Sequence, residues 1–402
     1  LPVEEVEMRK VYLDNASSTP ILPEVKEAIL PYLGEVYGNP SSLHDWGDAA
    51  RMAVDEAREK VAGLINAGPE EIIFTGCGTE SNNLAVKGIA LAAQAKGKHV
   101  VVSAIEHFSV LNSAKTLEKF GFEVTEVPVD KYGAIDPEDV KKAIRKDTVL
   151  VSIMHANGEI GTIEPIKKIA QITKELKVPL HTDAIATAGT IPVDVSELGV
   201  DALSLAGNQF YGPKGVGALW VRRGVRIMPL FDGGIQEGGR RGGTENVPGI
   251  VGLGKAAEIA KASMESRISQ LTPLRNRLLK ELPAKVEHVV VTGHPQNRLP
   301  GHASFCVEFI EGESMLMLLN NKGIAVTSGS ACTSRALKAS HVLIAIGLSH
   351  EIAQGSILFT MGLDTTPADI DYVLETMPPV VERLRQMSPL YAKFTKAGKG
   401  GQ

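Results

Sequence analysis

Short apolar runs rich in β-branched residues alternate with longer stretches of helical periodicity, and this alternation limits the possible folds more than any other feature of the chain. The runs fall at residues 71–74, 99–102, 122–127, 149–153, 179–182, 202–205 and 217–221. Helical spacing covers about residues 23–33, with Val25, Ala28, Ile29 and Tyr32 on one face, and a more strongly amphipathic stretch covers about 47–65. Strands separated by helices in this way predict a mostly parallel sheet with helices on both faces. After about residue 260 the pattern changes. A long charged helix over about 251–280 leads to strands near 286–292 and 303–309, with further helices near 314–321 and 367–386. A large α/β domain over 14–260 is expected, with a smaller α+β domain formed by 1–13 and 261–402.

Composition narrows the function classes. A chain of 402 residues, 44% of them hydrophobic, can bury a sizeable core and suggests two domains. The net charge of −5 argues against nucleic acid or an anionic membrane as the main partner. No apolar run is long enough to span a bilayer, and the first residues lack the basic and apolar regions of a signal peptide. Three cysteines, Cys77, Cys306 and Cys332, make neither a disulfide framework nor a metal knuckle, so a reducing cytoplasm is the expected compartment. No internal repeat is present, and residues 396–402 read as a frayed tail.

In open α/β sheets ligands gather at the carboxyl ends of the strands. Three loops there carry suitable chemistry. In Thr75-Gly76-Cys77-Gly78-Thr79-Glu80-Ser81-Asn82-Asn83, two glycines let the backbone approach closely, and a helix start with the Thr79 hydroxyl suits a phosphate. The same residues also read as an ordinary tight turn with a helix cap. His107, after Ile105-Glu106, is placed to stack on a planar ligand or to serve as a satisfied polar residue. Asp183, in His181-Thr182-Asp183-Ala184, can pair with a protonated ring nitrogen or cap the next helix.

The order of the motifs resolves these alternatives. Asp14-Asn15-Ala16, residues 38–44 (Gly-Asn-Pro-Ser-Ser-Leu-His), residues 78–83, Glu106-His107, residues 155–161 (His-Ala-Asn-Gly-Glu-Ile-Gly), Asp183-Ala184, Tyr211-Gly212-Pro213-Lys214-Gly215 and Gly329-Ser330-Ala331-Cys332 follow one another. In this order they resemble the NifS/IscS-type cysteine desulfurases, fold-type I pyridoxal-phosphate (PLP) enzymes that supply sulfur for iron–sulfur clusters. The resemblance extends from about Tyr12 to Tyr391. It implies a fold-type I aminotransferase-like chain, with a mostly parallel seven-stranded sheet in the large domain. It also implies that Thr79 belongs to a phosphate cup, that His107 stacks on the pyridine ring, that Asn157 meets the ring hydroxyl and that Asp183 meets the ring nitrogen. Thr244 matches a phosphate contact donated by the second subunit of a homodimer, and Cys332 matches the loop nucleophile that becomes a persulfide. The segment Met387-Ser388-Pro389-Leu390-Tyr391 matches the region that docks an IscU-type scaffold protein.

The chain departs from that family where the chemistry is concentrated. The family's strand ends in Ser-x-His-Lys, whose lysine forms the Schiff base; here the residues are Ala206-Gly207-Asn208-Gln209. The Gln209 amide is not nucleophilic and does not titrate near neutral pH, so no covalently bound PLP is expected, and the same lysine's work as a general base is lost. Lys214 matches the family's own turn and is no substitute. Ala206 replaces a phosphate-binding serine, Asn208 a histidine, and Ala186 a glutamine near the ring hydroxyl. Leu363 replaces the arginine that clamps the substrate carboxylate, while Gly238 and Gly242 replace Arg and Ser.

Several changes on one site point to abandoned amino-acid chemistry, although weak noncovalent PLP binding through Thr79, His107, Asp183 and Thr244 stays open. Cys332, among small residues, suits an exposed, mobile thiol. Cys77 and Cys306, at or beside strands, are expected to be buried structural thiols. The expectation is a homodimeric desulfurase-like subunit that binds an IscU-type scaffold, with Cys332 accepting sulfur or ligating an iron–sulfur cluster shared with that scaffold. An active desulfurase, converting L-cysteine to L-alanine with a persulfide on Cys332, is the alternative. A purely regulatory subunit, in which Cys332 is dispensable, is the third possibility.

Overall fold

The structure is a computed structural model and describes residues 9–329 and 339–399. In chain order its strands are β1 (Val11–Tyr12), β2 (Ile72–Thr75), β3 (His99–Ser103), β4 (Glu123–Val127), β5 (Thr148–Ser152), β6 (Leu180–Asp183), β7 (Ala202–Ala206), β8 (Gly217–Val221), β9 (Val289–Val291), β10 (His302–Val307), β11 (Ile324–Ala325) and β12 (Ser356–Thr360). Seven of them form one sheet in the order β2-β8-β7-β6-β5-β3-β4. The pairings among β7, β6, β5, β3 and β4 are parallel, whereas β8 runs antiparallel to both neighbours. β2 therefore points the same way as β7, and Thr75, Ser103, Ser152, Asp183 and Ala206 all end at one edge of the sheet.

The apolar runs become buried strands because both faces are covered: every residue of β2, β3, β5, β6, β7 and β8 is buried. One covering helix, Asp45–Leu64, buries Ala50, Val54, Ala57 and Val61, and its first turn is capped by the His44 ring, which accepts from the Gly47 N–H at 3.1 Å. It packs on the helix Val247–Lys285, where a Cβ on Gly254 would stand 2.6 Å from Ala57 Cα, so the two backbones meet at a glycine.

The helix Val247–Lys285 joins two cores. Ala256, Ala257, Ala260 and Met264 pack into the core of the large sheet. Leu271, Leu274, Leu278 and Leu282 pack into a second core built on the antiparallel sheet β12-β10-β9 and on Leu13. Core membership changes between Met264 and Leu271. β1 pairs in parallel with β11, tying the start of the described chain to this second core. No described helix is long and apolar enough to cross a membrane.

Two expectations are corrected. Cys77 is exposed rather than buried, because it sits in the turn between β2 and the helix Gly78–Ala92 rather than within the strand, whereas Cys306 in β10 is buried. The tail is not wholly frayed: the helix Pro389–Lys399 takes in the first residues of the segment 396–402.

Candidate functional site

The edge where β2, β3, β5, β6 and β7 end gathers most of the residues singled out in the sequence. Asp183, the last residue of β6, is almost fully buried. Its Oδ1 accepts from the Ile185 N–H at 2.9 Å and its Oδ2 from Asn82 Nδ2 at 2.7 Å. Burial raises its pKa, while the Ile185 N–H, the nearby His107 and Asn82 all work the other way. Asn82 Nδ2 also donates to Ser109 Oγ at 2.8 Å, and Ser109 Oγ lies 2.7 Å from His107 Nδ1. That ring nitrogen accepts from the Ser109 N–H as well, at 3.1 Å, so the proton of a neutral His107 belongs on Nε2. An unbroken chain of polar contacts thus runs from the buried carboxylate to the exposed imidazole. Neither Asn82 nor Ser109 stood out as a site residue in the sequence; an Asn and a Ser at helix starts carry no signal of long-range pairing.

Thr79 is exposed at the start of the helix Gly78–Ala92. A Cβ on Gly78 would lie 2.3 Å from Ile185 Cδ1 and 3.2 Å from the Ala206 methyl, so glycine lets the helix start press against the ends of β6 and β7. Ala206 therefore faces the helix start with a methyl and offers it no hydroxyl. Glu80 accepts from the Gly76 N–H at 2.7 Å and pairs with Arg241 at 2.9 Å. Arg241 belongs to the loop that carries Thr244, which is exposed. The same loop is held by the Glu237 carboxylate, which takes two bonds from Arg58 at 2.8 Å and one from the Phe74 N–H at 3.0 Å.

Asn157 is buried and its side chain is occupied within its own neighbourhood. Nδ2 donates to the Ile105 carbonyl at 3.0 Å, and Oδ1 accepts from the N–H groups of Glu159 and Ile160. Gln209, in the short 3-10 turn Gly207–Gln209 after β7, is half-buried and donates from Nε2 to the Ala16 carbonyl at 2.8 Å. It lines a cavity of about 50 Å³ together with Ala186, Leu363 and Arg267. Leu363 also borders an adjoining cleft of about 400 Å³. Cys332 lies outside the described residues. On either side of its segment, Gly329 abuts Glu159, and Ser340 Oγ donates to Glu159 Oε2 at 2.7 Å. Burial pushes the Glu159 carboxyl up to about 7. Among the described residues no group of three or more His, Cys, Asp or Glu side chains is placed to hold a metal.

Placed together in this way, Asp183, His107 and Thr79 suit the ring and phosphate of a PLP-like ligand. The covalent attachment of the family does not fit, because the group at its position is a carboxamide already engaged with a backbone carbonyl.

The fold and this edge define a fold-type I, aminotransferase-like α/β protein, and the family model described as Aminotransferase class-V matches residues 11–373. The chain is 52% identical to a protein of Dictyoglomus turgidum named Cysteine desulfurase IscS, over 95% of this chain and 97% of that protein. It is 51% identical to the Methanosarcina thermophila protein of the same name, over 96% of each chain. A solved structure described as a NifS-like protein superposes with a TM-score of 0.88 at 37% identity, covering 94% of this chain and all of the other. The chain belongs to the NifS/IscS cysteine desulfurase family.

Proposed function

We propose that this chain serves iron–sulfur cluster assembly as a homodimeric, cytoplasmic, desulfurase-like subunit that docks an IscU-type scaffold and does not itself release sulfur from cysteine. The observation that carries the reading is Gln209. Its Nε2 is an amide nitrogen bonded to Ala16, and no amine stands at that position to join a carbonyl or to move a proton from the substrate. Leu363, on the same cavity, gives a cysteine carboxylate no donor.

What remains useful is the Cys332 thiol. As a thiolate it attacks the outer sulfur of a donor persulfide; the S–S bond breaks, the donor leaves as a thiolate, and Cys332 becomes the persulfide with no outside oxidant. As a ligand it loses its proton and fills one iron site of a cluster whose other thiolates come from the scaffold. Support for docking comes from the end of the chain, where Met387, Leu390 and Phe394 are exposed and Phe394 stacks on Phe309 with ring centroids 4.7 Å apart. Support for a dimer comes from large apolar side chains left exposed, Tyr37, Leu43, Trp46 and Met52 on one segment and Phe231 and Ile235 on another, which a second copy would cover.

A second reading, an active PLP-dependent cysteine desulfurase, is favoured by the names of the relatives and by the ring-side residues still in place. The visible spectrum separates the two. Purified alone, the protein is expected to be colourless and to release neither sulfide nor alanine from L-cysteine with added PLP. Co-expressed with a scaffold it is expected to turn red-brown, and Cys332→Ser should lower the cluster content. A yellow protein that converts cysteine to alanine establishes the second reading and ends the first. Cluster content indifferent to Cys332→Ser removes the thiol from the proposal.

A further inference from the structure

Arg267 lies on the helix Val247–Lys285, in the stretch where that helix passes from one core to the other. It is 5% exposed, yet its guanidinium faces no carboxylate in any ion pair among the described residues, and its Nε has no hydrogen-bond partner. Among the described residues its ring contact is with Tyr211, whose centroid is 5.1 Å from the guanidinium carbon. Tyr211 is itself held at φ 71°, a left-handed conformation costly for a bulky side chain, and its hydroxyl accepts from the Leu363 N–H at 2.7 Å. The ring that meets the guanidinium is therefore held in place, and Arg267 itself lines the cavity.

That cavity, of about 50 Å³, has room for several times one water on this measure. Arg267 is the one charged side chain among its polar lining, which also includes Gln209, His302, Asn15 and Thr190, and Leu271, Met361 and Leu363 are among its apolar lining. Neither ring nitrogen of His302 makes a well-formed hydrogen bond. Burial, with Arg298 and Arg275 nearby, pushes its pKa down to about 3, and a contribution from the Gly158 backbone works the other way, so the ring is neutral at physiological pH. A buried cation without an anion is costly, and a planar fork of N–H donors matches a carboxylate best. Through Tyr211 and Leu363 the cavity adjoins the larger open cleft, which gives a path in.

We infer that Arg267 makes this cavity a binding site for a small aliphatic carboxylate, its guanidinium taking the carboxylate and Leu271, Met361 and Leu363 taking the short tail. The inference rests on the proposed function only in that Leu363 offers no clamp of its own. The test is titration of the full-length protein with acetate, by calorimetry and by saturation-transfer NMR, at constant ionic strength. One saturable site per chain is expected, weakened at least tenfold in Arg267→Met and less in Arg267→Lys, with equimolar chloride failing to displace the acetate. Ala186→Leu, which fills the cavity without touching the charge, is expected to abolish binding and decides the matter where Arg267→Met does not fold. Absence of saturable binding, binding unchanged in Arg267→Met or Ala186→Leu, or equal displacement by chloride would overturn the inference. A protein that proves yellow and turns over cysteine would end the proposed function while the acetate titration still reports on Arg267.

Discussion

The two walls of the site are held in different ways, and the hydrogen bonds show how. On the ring-side wall, Asp183 is bonded to Asn82 and to the Ile185 backbone, and Asn157 braces the turn through Ile105, Glu159 and Ile160. On the opposite wall, Ala186, Gln209 and Leu363 border open space, and Ala206 touches the helix start through a methyl. Asp183 and Asn157 thus have work to do in the fold itself, whereas Ala186 and Leu363 can change without leaving a buried polar group stranded. Persistence of the ring-side residues is thus weak testimony that PLP still binds, because the fold requires several of them in any case.

The largest effect should come from rebuilding the altered wall. Gln209→Lys together with Leu363→Arg gives the cavity an amine and a carboxylate clamp, each expected to act only with the other. Cysteine desulfuration by the double variant with added PLP should rise about 10²–10⁴-fold over background, the range a positioned acid–base group contributes, while either single variant stays near background. A single Gln209→Lys with full activity would show the second wall to be intact in everything but one residue.

A second comparison sets structural against ligand-facing residues on the retained wall. Asn157→Ala orphans the Ile105 carbonyl, the buried Ile160 N–H and the part-buried Glu159 N–H, and at roughly 1–3 kcal/mol each it should cost about 4 kcal/mol in chemical denaturation without any cofactor present. Thr79→Ala, at an exposed position, should stay within about 0.5 kcal/mol. Equal, small losses at both positions would mean that Asn157 is held for a ligand and not for the turn.

Much of this division was beyond the reach of the sequence. The strands of the large sheet were legible because runs such as 100–102 and 217–221 are apolar throughout, and burial on both faces is what such runs serve. The antiparallel course of β8 was not, since strand direction depends on the path of the connection and not on the strand's own residues. β12 was missed as well: Ser356–Thr360 follows the short helix His350–Gln354 with no turn signal beyond Gly355. At the site, motif order indicated Thr79, His107, Asn157 and Asp183, and the structure adds that Asn157 spends its side chain on its own turn and on tying that turn to the Ile105 carbonyl. Arg267 was hidden because one arginine in a long charged helix looks like any solvated residue; its burial is set by Tyr211 and the second core, both distant in sequence.

The smallest effect concerns the point where the retained wall meets the segment that carries Cys332. Glu159 follows Asn157 by two residues, abuts Gly329, and accepts from Ser340, so one carboxyl touches both flanks of residues 330–338. Burial holds its pKa at about 7, opposed by the Ser340 bond, and the same carboxylate helps to push the buried Cys306 thiol up to about 12. A carboxyl raised on folding stabilises the native state below its unfolded pKa, and that contribution is lost as pH rises through about 7. Glu159→Gln keeps an oxygen for Ser340 and removes the titration. The variant should match the wild type near pH 5 and exceed it by roughly 2–3 kcal/mol at pH 8, at 1.36 kcal/mol per pKa unit. Glu106 and Glu164, also raised by burial, will still give both proteins a decline over this range, so the difference between the two curves is the quantity to read. Parallel curves would place the Glu159 charge in water, and would mean that the flanks of the Cys332 segment are held by packing and backbone alone.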